Sequence, residues 1–201
     1  MQYASSVLEE AALDDDFDPI SVALRIARAI EACEGAYLVA PRNADGISVV
    51  LDLPIGRVRR FLGELWHEFE VGSEKVVRDA LLLGRSRRVL FVPTALEVDL
   101  FPIGRSEFDE VEFARRRRVA VRSGGATLCV KSAEDCVLRR LTEFLGQGMV
   151  SDLEWREVVE AVCHAGQALD FDHLERWAKR LGVAEMLEQA RCESAATHLA
   201  R

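Results

Sequence analysis

Hydrophobic and polar positions follow two different periods along this chain. Between Ile20 and Ile30 apolar residues recur at helical spacing, and Asp18 followed by Pro19 is typical of a helix start. From there to about residue 130, helical stretches alternate with short apolar and β-branched runs. From Ser132 onward the apolar pattern is helical throughout. The pattern therefore predicts a mixed α/β part followed by an all-helical part.

Seven short runs in the first part predict β-strands: Tyr37–Ala40, Ile47–Leu53, Phe69–Val71, Arg88–Val92, Leu96–Phe101, Arg118–Val121 and Thr127–Val130. The fourth and fifth runs are joined by Pro93-Thr94-Ala95 and are expected to form a hairpin of two central strands. The last two runs flank Ser123-Gly124-Gly125, which is typical of a second hairpin.

Helix starts are marked by capping residues. Helices are predicted from Pro54, from Ser73 through Leu83, from Glu107 to Arg115, from Ser132, from Ser151, from Asp170 or Asp172, and from Val183 to about Ala196. The predicted fold class is α+β, with a mixed sheet flanked by helices in residues 1–130 and a C-terminal helical lobe in residues 131–201. The helical spacing of Trp66, Trp155 and Trp177 with leucines and valines predicts that they lie in a core or between the lobes.

Composition narrows the function classes. The 201 residues carry a net charge of −8 and are 49% hydrophobic, as expected for a soluble globular protein. A membrane span needs roughly 20 apolar residues in a row, and the sequence has no such run. Its first residues lack the pattern of a secretory signal, so we expect none. We expect a cytoplasmic protein that binds neither membranes nor duplex DNA. The five cysteines are scattered without a C-x-x-C pair, which indicates neither a zinc site nor a disulfide framework.

Four consecutive arginines, Arg115 to Arg118, make one compact basic run. The run is predicted to be a solvated face that pairs with acids at residues 107–112, or alternatively to contact RNA phosphates or a nucleotide.

The segment Pro41-Arg42-Asn43-Ala44-Asp45-Gly46-Ile47-Ser48-Val49 resembles the core motif P-R-x-T-x-D-I-D-L of small bacterial nucleotidyltransferase-fold proteins, which include relatives among toxins of toxin–antitoxin systems. The resemblance extends over roughly residues 20 to 190. It includes the strand Leu96–Phe101, the turn Leu128–Asp135 (the family's P-E-D), and the closing helix Leu169–Ala178. The resemblance implies a nucleotidyltransferase-like fold.

The resemblance also implies a site whose chemistry has changed. In the family two aspartates of the motif, with a third from a neighbouring strand, hold the magnesium that bridges nucleotide phosphates. Here Gly46 and Ser48 stand at the first two positions, and Asp99 keeps the third. Glycine offers no ligand and a neutral hydroxyl is a poor one, so we expect no cofactor and a loss of metal-dependent transfer.

Further positions of the motif suggest how a ligand would be held. By resemblance, Arg42, Arg140 and Glu157 are candidate ligand-binding residues, the last two in place of a family lysine and aspartate. Of the family's glycine-rich phosphate turn, only Gly35-Ala36 remains.

Three functions are carried forward. The first is a degenerate nucleotidyltransferase-like protein that binds a nucleotide, an RNA or a protein partner. The second is an active nucleotidyltransferase with rearranged ligands, in which Mg²⁺ is held by Asp99 with Asp45 or Asp52 and phosphate by Arg140. The third is a non-catalytic interaction module, as a homo-oligomer or with another protein, whose helical lobe presents a partner surface.

Overall fold

The computed structural model describes residues 17–41, 46–121, 125–149, 151–165 and 169–199. They fall into two compact units, an α/β unit that ends at Lys131 and a helical unit that begins at Ser132. Eight α-helices and seven β-strands occur in these described residues. The fold is α+β, as predicted.

The elements of the α/β unit are, in chain order, α1 (Pro19–Ala32), β1 (Ala36–Pro41), β2 (Gly46–Asp52), α2 (Val58–Leu65), β3 (Phe69–Glu70), α3 (Glu74–Leu82), β4 (Arg87–Phe91), β5 (Leu96–Pro102), α4 (Glu107–Ala114), β6 (Arg117–Ala120) and β7 (Thr127–Val130). A 3-10 turn at Ile55–Arg57 lies between Pro54 and α2, so the helix begins later than predicted.

The seven strands form one mixed sheet in the order β3-β4-β5-β2-β1-β7-β6. β2 runs parallel to β5, and β1 runs parallel to β7, whereas the remaining neighbours are antiparallel. Both predicted hairpins are present, as β4–β5 and β6–β7. The two parallel pairs bring together strands that are distant in sequence, and they place β2 and β5 side by side near the middle of the sheet.

One face of the central strands forms the hydrophobic core. Along β2, Ile47, Val49 and Leu51 are buried, and the residues between them are only partly buried. α1 packs on β1, β2 and β7 through a fully apolar face that includes Val22 and Ile26. Since side chains alternate along a strand, Gly46 and Ser48 lie on the opposite face.

The helical unit contains α5 (Ala133–Gly146), α6 (Asp152–Ala165), α7 (Phe171–Leu181) and α8 (Ala184–Leu199). Ser132 caps α5 and Asp170 caps α7, as predicted. Gly182 ends α7 with φ 74°, a left-handed conformation that glycine adopts without steric cost.

Candidate functional site

The register of β2 against β5 places the candidate positions next to one another. Ser48 lies opposite Asp99, and Gly46 lies opposite Glu97. Residues opposite each other on neighbouring strands project from the same face of the sheet. Two acids of β5 therefore share a face with the two positions where the resemblance expects aspartates.

A cation of the protein itself occupies this face. Arg88 of β4 lies opposite Asp99 in the antiparallel register, and its Nε and Nη2 donate to the two carboxylate oxygens of Asp99 at 2.8 and 3.3 Å. The Nη1 of Arg88 lies 2.8 Å from Oε2 of Glu97. We refer to Arg88, Glu97 and Asp99 as the Arg88 cluster.

The Arg88 cluster is a forked ion pair on a partly solvated surface. The side chain of Asp99 is 13% exposed, whereas those of Arg88 and Glu97 are 48% and 46% exposed. The hydrogen bond to Asp99 raises the pKa of Arg88 above its ordinary value, so the guanidinium stays charged at any physiological pH. One positive and two negative charges leave the cluster with a net charge of about −1 at neutral pH.

The guanidinium of Arg88 therefore supplies the positive charge that a bound metal ion would supply to these carboxylates. A guanidinium neutralises carboxylates, but it cannot coordinate phosphate oxygens together with them or activate a bound hydroxyl. In the part of the chain that the structure describes, no group of three or more His, Cys, Asp or Glu residues is arranged to hold a metal ion.

Asp52 does not join the cluster. It is exposed at the end of β2, opposite Ala36, and it lies four residues from Ser48. At roughly 3.3 Å per residue, that is about 13 Å along the strand, so Asp52 and Asp99 cannot share one ion. Arg42 and Asp45, the other candidates from the motif, lie outside the described residues.

Gly35 lies at the wrong end of the sheet to cradle a phosphate over Ser48. It precedes Ala36, which lies opposite Asp52. A Cβ at Gly35 would lie 2.8 Å from Cγ2 of Ile30 and 3.0 Å from the carbonyl oxygen of Asp52. Close packing of α1 against β2 accounts for this glycine.

Arg140 and Glu157 pair with each other in the helical unit. Nη1 of Arg140 on α5 lies 2.5 Å from Oε2 of Glu157 on α6, and both side chains are about three-quarters buried, at 21% and 24% exposure. The resemblance groups these two residues as ligand-binding, and the structure places them in one interhelical ion pair.

Two buried polar groups bring together residues that no sequence pattern linked to each other. Nζ of Lys131 lies 2.8 Å from Oε1 of Glu112, with side-chain exposures of 8% and 5%. A charge pair so far from water is rare because desolvation is costly. In the sequence, the only sign of this pair was the single lysine that follows the apolar run of β7.

The second buried group connects α5 and α7. Asp135 accepts from the Ser132 hydroxyl at 2.7 Å and lies 2.8 Å from Nε2 of His173. All three are at most 2% exposed. The capping pattern Ser132-x-x-Asp135 was visible in the sequence, but the histidine was not linked to it.

Arg116 and Arg118 of the basic run contact other residues through their side chains. Arg116 donates to the carbonyl oxygen of Phe113 at 2.6 Å and lies over the ring of Phe113. Arg118 reaches Glu31 of α1 at 3.4 Å, rather than the acids of α4 as predicted. Arg117 is exposed on β6.

The tryptophans differ from one another. Trp66 is 70% exposed, so its predicted burial is wrong, because α2 ends at Leu65 and Trp66 leaves the apolar stripe. Trp177 is 5% exposed, and Trp155 packs near Phe144 and donates to Glu193. The exposed apolar side chains of the helical unit are instead Leu145, Met149 and Leu153.

Comparison with protein-family models gives no match to this chain, and comparison with curated proteins gives none either. Among the described residues, no helix combines the length and apolar character that crossing a membrane requires.

Proposed function

We propose that this chain is a nucleotidyltransferase-like protein in which ligand binding has replaced metal-dependent nucleotidyl transfer. The observation that carries the proposal is the Arg88 cluster. The carboxylate of Asp99, the one acid that the motif retains, is held by a guanidinium on the face where the resemblance expects magnesium.

The strand arrangement supports the same proposal. A nucleotidyltransferase-like site needs its three acids on two neighbouring strands, and β2 and β5 are neighbours with Ser48 directly opposite Asp99. Ser48 and Asp99 therefore share one face of the sheet, as the resemblance requires, but only Asp99 carries a carboxylate. Without two more carboxylates, the face does not bind Mg²⁺ tightly enough for the ion to displace the guanidinium.

The chemistry of the face suggests which part of a ligand it binds. The Arg88 cluster is net negative and rich in acceptor oxygens, so it disfavours a bare phosphate and favours hydroxyl and amino donors. Ser48 adds a hydroxyl beside it. The ribose hydroxyls and base amino groups of a nucleotide or an RNA are such donors, and donor side chains of a protein partner are the alternative.

An active enzyme with rearranged ligands is the competing proposal. Its version with Asp52 is disfavoured by the distance of about 13 Å along β2. Its version with Asp45 rests on a residue outside the described part of the chain.

The test is a transfer assay paired with a binding assay. The purified chain is incubated with each labelled nucleoside triphosphate, Mg²⁺ or Mn²⁺, and total RNA or protein. We expect no label in RNA or protein above a no-protein control. Transfer that disappears both in EDTA and in Asp99→Ala would overturn the proposal.

The binding assay is isothermal titration of the same nucleotides in EDTA. We expect any binding to be independent of divalent metal and weakened by Asp99→Ala. Arg57→Ala is the matched control, because Arg57 forms a single surface ion pair with Glu34 elsewhere in the α/β unit. Binding that requires Mg²⁺ would favour the competing proposal.

A further inference from the structure

The strand β6 lies at one edge of the sheet. β6 is last in the strand order and pairs only with β7 among the described strands. The backbone N–H of Val121 donates to the carbonyl of Ala126 at 2.9 Å. Since bonded and non-bonded pairs alternate along an antiparallel ladder, Val119 and Arg117 also bond to β7, and Arg118 and Ala120 point their backbone groups outward.

The neighbouring strand agrees with this alternation. Cys129 lies opposite Arg118, and its N–H donates away from β6, to the hydroxyl of Tyr37 on β1. Within the described part of the chain, no hydrogen bond reaches the backbone N–H or C=O of Arg118 or Ala120. We call these outward groups, together with the exposed side chains of Arg117 and Arg118, the β6 edge.

The β6 edge is basic in an acidic protein. Arg116 and Arg117 have no carboxylate partner among the described residues, and Arg118 shares only a 3.4 Å contact with Glu31. Other described arginines lie close to carboxylates, for example Arg25 to Glu68 and Arg57 to Glu34, each at 2.8 Å. The chain as a whole has a net charge of −8. Arg117 therefore lacks an acidic partner among the described residues, and with the weakly paired Arg118 it makes the edge basic, which favours an acidic partner.

We propose that the β6 edge binds an extended acidic segment of a partner protein, which adds to the sheet as an eighth strand. The outward N–H and C=O groups of Arg118 and Ala120 offer four backbone hydrogen bonds, and acidic side chains of the segment pair with Arg117 and Arg118.

Two other occupants fit the edge less well. A second copy of β6 would place arginines opposite arginines, and like charges directly opposite destabilise a strand pair. Single-stranded nucleic acid is usually held by exposed aromatic rings as well as cations, and the exposed residues of β6 include none.

The probe is a short fluorescein-labelled peptide of valine-glutamate-glutamate repeats, measured by fluorescence anisotropy. Adjacent glutamates are needed because Arg117 and Arg118 project from opposite faces of the sheet. Ala120→Pro removes one outward N–H and leaves the ladder to β7 intact, and Arg117→Glu reverses one charge. Arg156→Glu on α6 is the matched charge control, since Arg156 is exposed and has no partner among the described residues.

We expect saturable binding that weakens at least about tenfold in Ala120→Pro and in Arg117→Glu and is unchanged in Arg156→Glu. In the wild-type chain the peptide should slow amide hydrogen exchange at Arg118 and Ala120, a readout that does not depend on any variant folding. Exchange at these two amides that the peptide leaves unchanged would overturn the proposal. So would tighter binding of an oligouridine probe, or protection that tracks self-association instead of added peptide.

Discussion

The guanidinium of Arg88 holds the carboxylate of Asp99 in a forked ion pair across the β4–β5 hairpin, at 2.8 and 3.3 Å. The same guanidinium reaches Glu97, two residues earlier on β5. Two carboxylates on one strand face repel each other unless a cation lies between them. In this chain the cation is a side chain and is therefore always present.

Removing that cation should expose the repulsion. In Arg88→Ala, the carboxylates of Glu97 and Asp99 lie on one face of β5 without the guanidinium between them, so we expect a lower melting temperature in EDTA and a modest recovery on addition of Mn²⁺. Melting curves with and without Mn²⁺ measure both effects. Arg57→Ala, which removes a pair with a single carboxylate, should show no recovery. A Mn²⁺ response of equal size in the two variants would contradict this explanation.

Replacing only one member of the buried pair of Lys131 and Glu112 should lower the free energy of unfolding strongly. Lys131→Met leaves a buried carboxylate without its cation, and we expect the free energy of unfolding to fall by about 3–5 kcal/mol. The double variant Lys131→Met with Glu112→Leu should recover most of that loss, because no charge stays buried. Urea denaturation measures both values. A double variant as unstable as the single one would show that the pair is needed for more than charge balance.

Much of the local structure could be predicted because its signals are local. Four predicted helix caps are confirmed, since a cap needs only a few neighbouring residues: Asp18, Ser73, Ser132 and Asp170. The pairing of β1 with β7 and of β2 with β5 is not local, and no sequence pattern fixes it.

The Arg88 cluster lay between these two cases. The β4–β5 hairpin was predicted, but which residues oppose each other depends on the turn. A four-residue connection joins Phe91 to Leu96 and sets Arg88 opposite Asp99. If that register had been known, an arginine opposite one acid and near a second would have indicated the cluster.

Two helix caps offer a matched comparison of burial. Ser106 caps α4 at the surface and donates its hydroxyl to Asp109, whereas Ser132 caps α5 and donates its hydroxyl to the buried Asp135. We expect Ser106→Ala to cost about 1 kcal/mol and Ser132→Ala about 2–3 kcal/mol, because the second change also removes a buried hydrogen bond. Urea denaturation, followed at the transition of the unit that carries each change, is the measurement. Equal costs would mean that burial adds nothing to the Ser132 cap.

The ionisation of Tyr37 gives a pH dependence with a fixed sign. Burial raises the pKa of Tyr37 to about 12 from the ordinary 10, opposed in part by the hydrogen bond from the Cys129 N–H. Between pH 10 and 12, Tyr37 therefore keeps its proton in the folded chain and loses it in the unfolded chain. Stability is unaffected below pH 10 and falls as the pH rises from 10 to 12.

The measurement is absorbance of tyrosinate, as the difference between wild type and Tyr37→Phe, with urea denaturation at each pH. We expect a midpoint near pH 12. The decline in stability between pH 10 and 12 should be shallower in Tyr37→Phe. A midpoint near 10, with equal declines, would place the phenol in water.

The most direct test adds carboxylates at the two positions where the resemblance expects aspartates. Gly46→Asp with Ser48→Asp puts two carboxylates beside Glu97 and Asp99, and it is made with Arg88 present and with Arg88→Ala. Crowded like charges should destabilise both variants in EDTA, and a divalent ion that binds only the folded state should restore stability. Melting temperatures in EDTA and in millimolar Mn²⁺ are compared with wild type. We predict little shift in wild type, a shift in the double variant, and the largest shift when Arg88 is also removed. Equal shifts in all three proteins, or no shift in either variant, would contradict the claim that Arg88 occupies the cation position of a metal site.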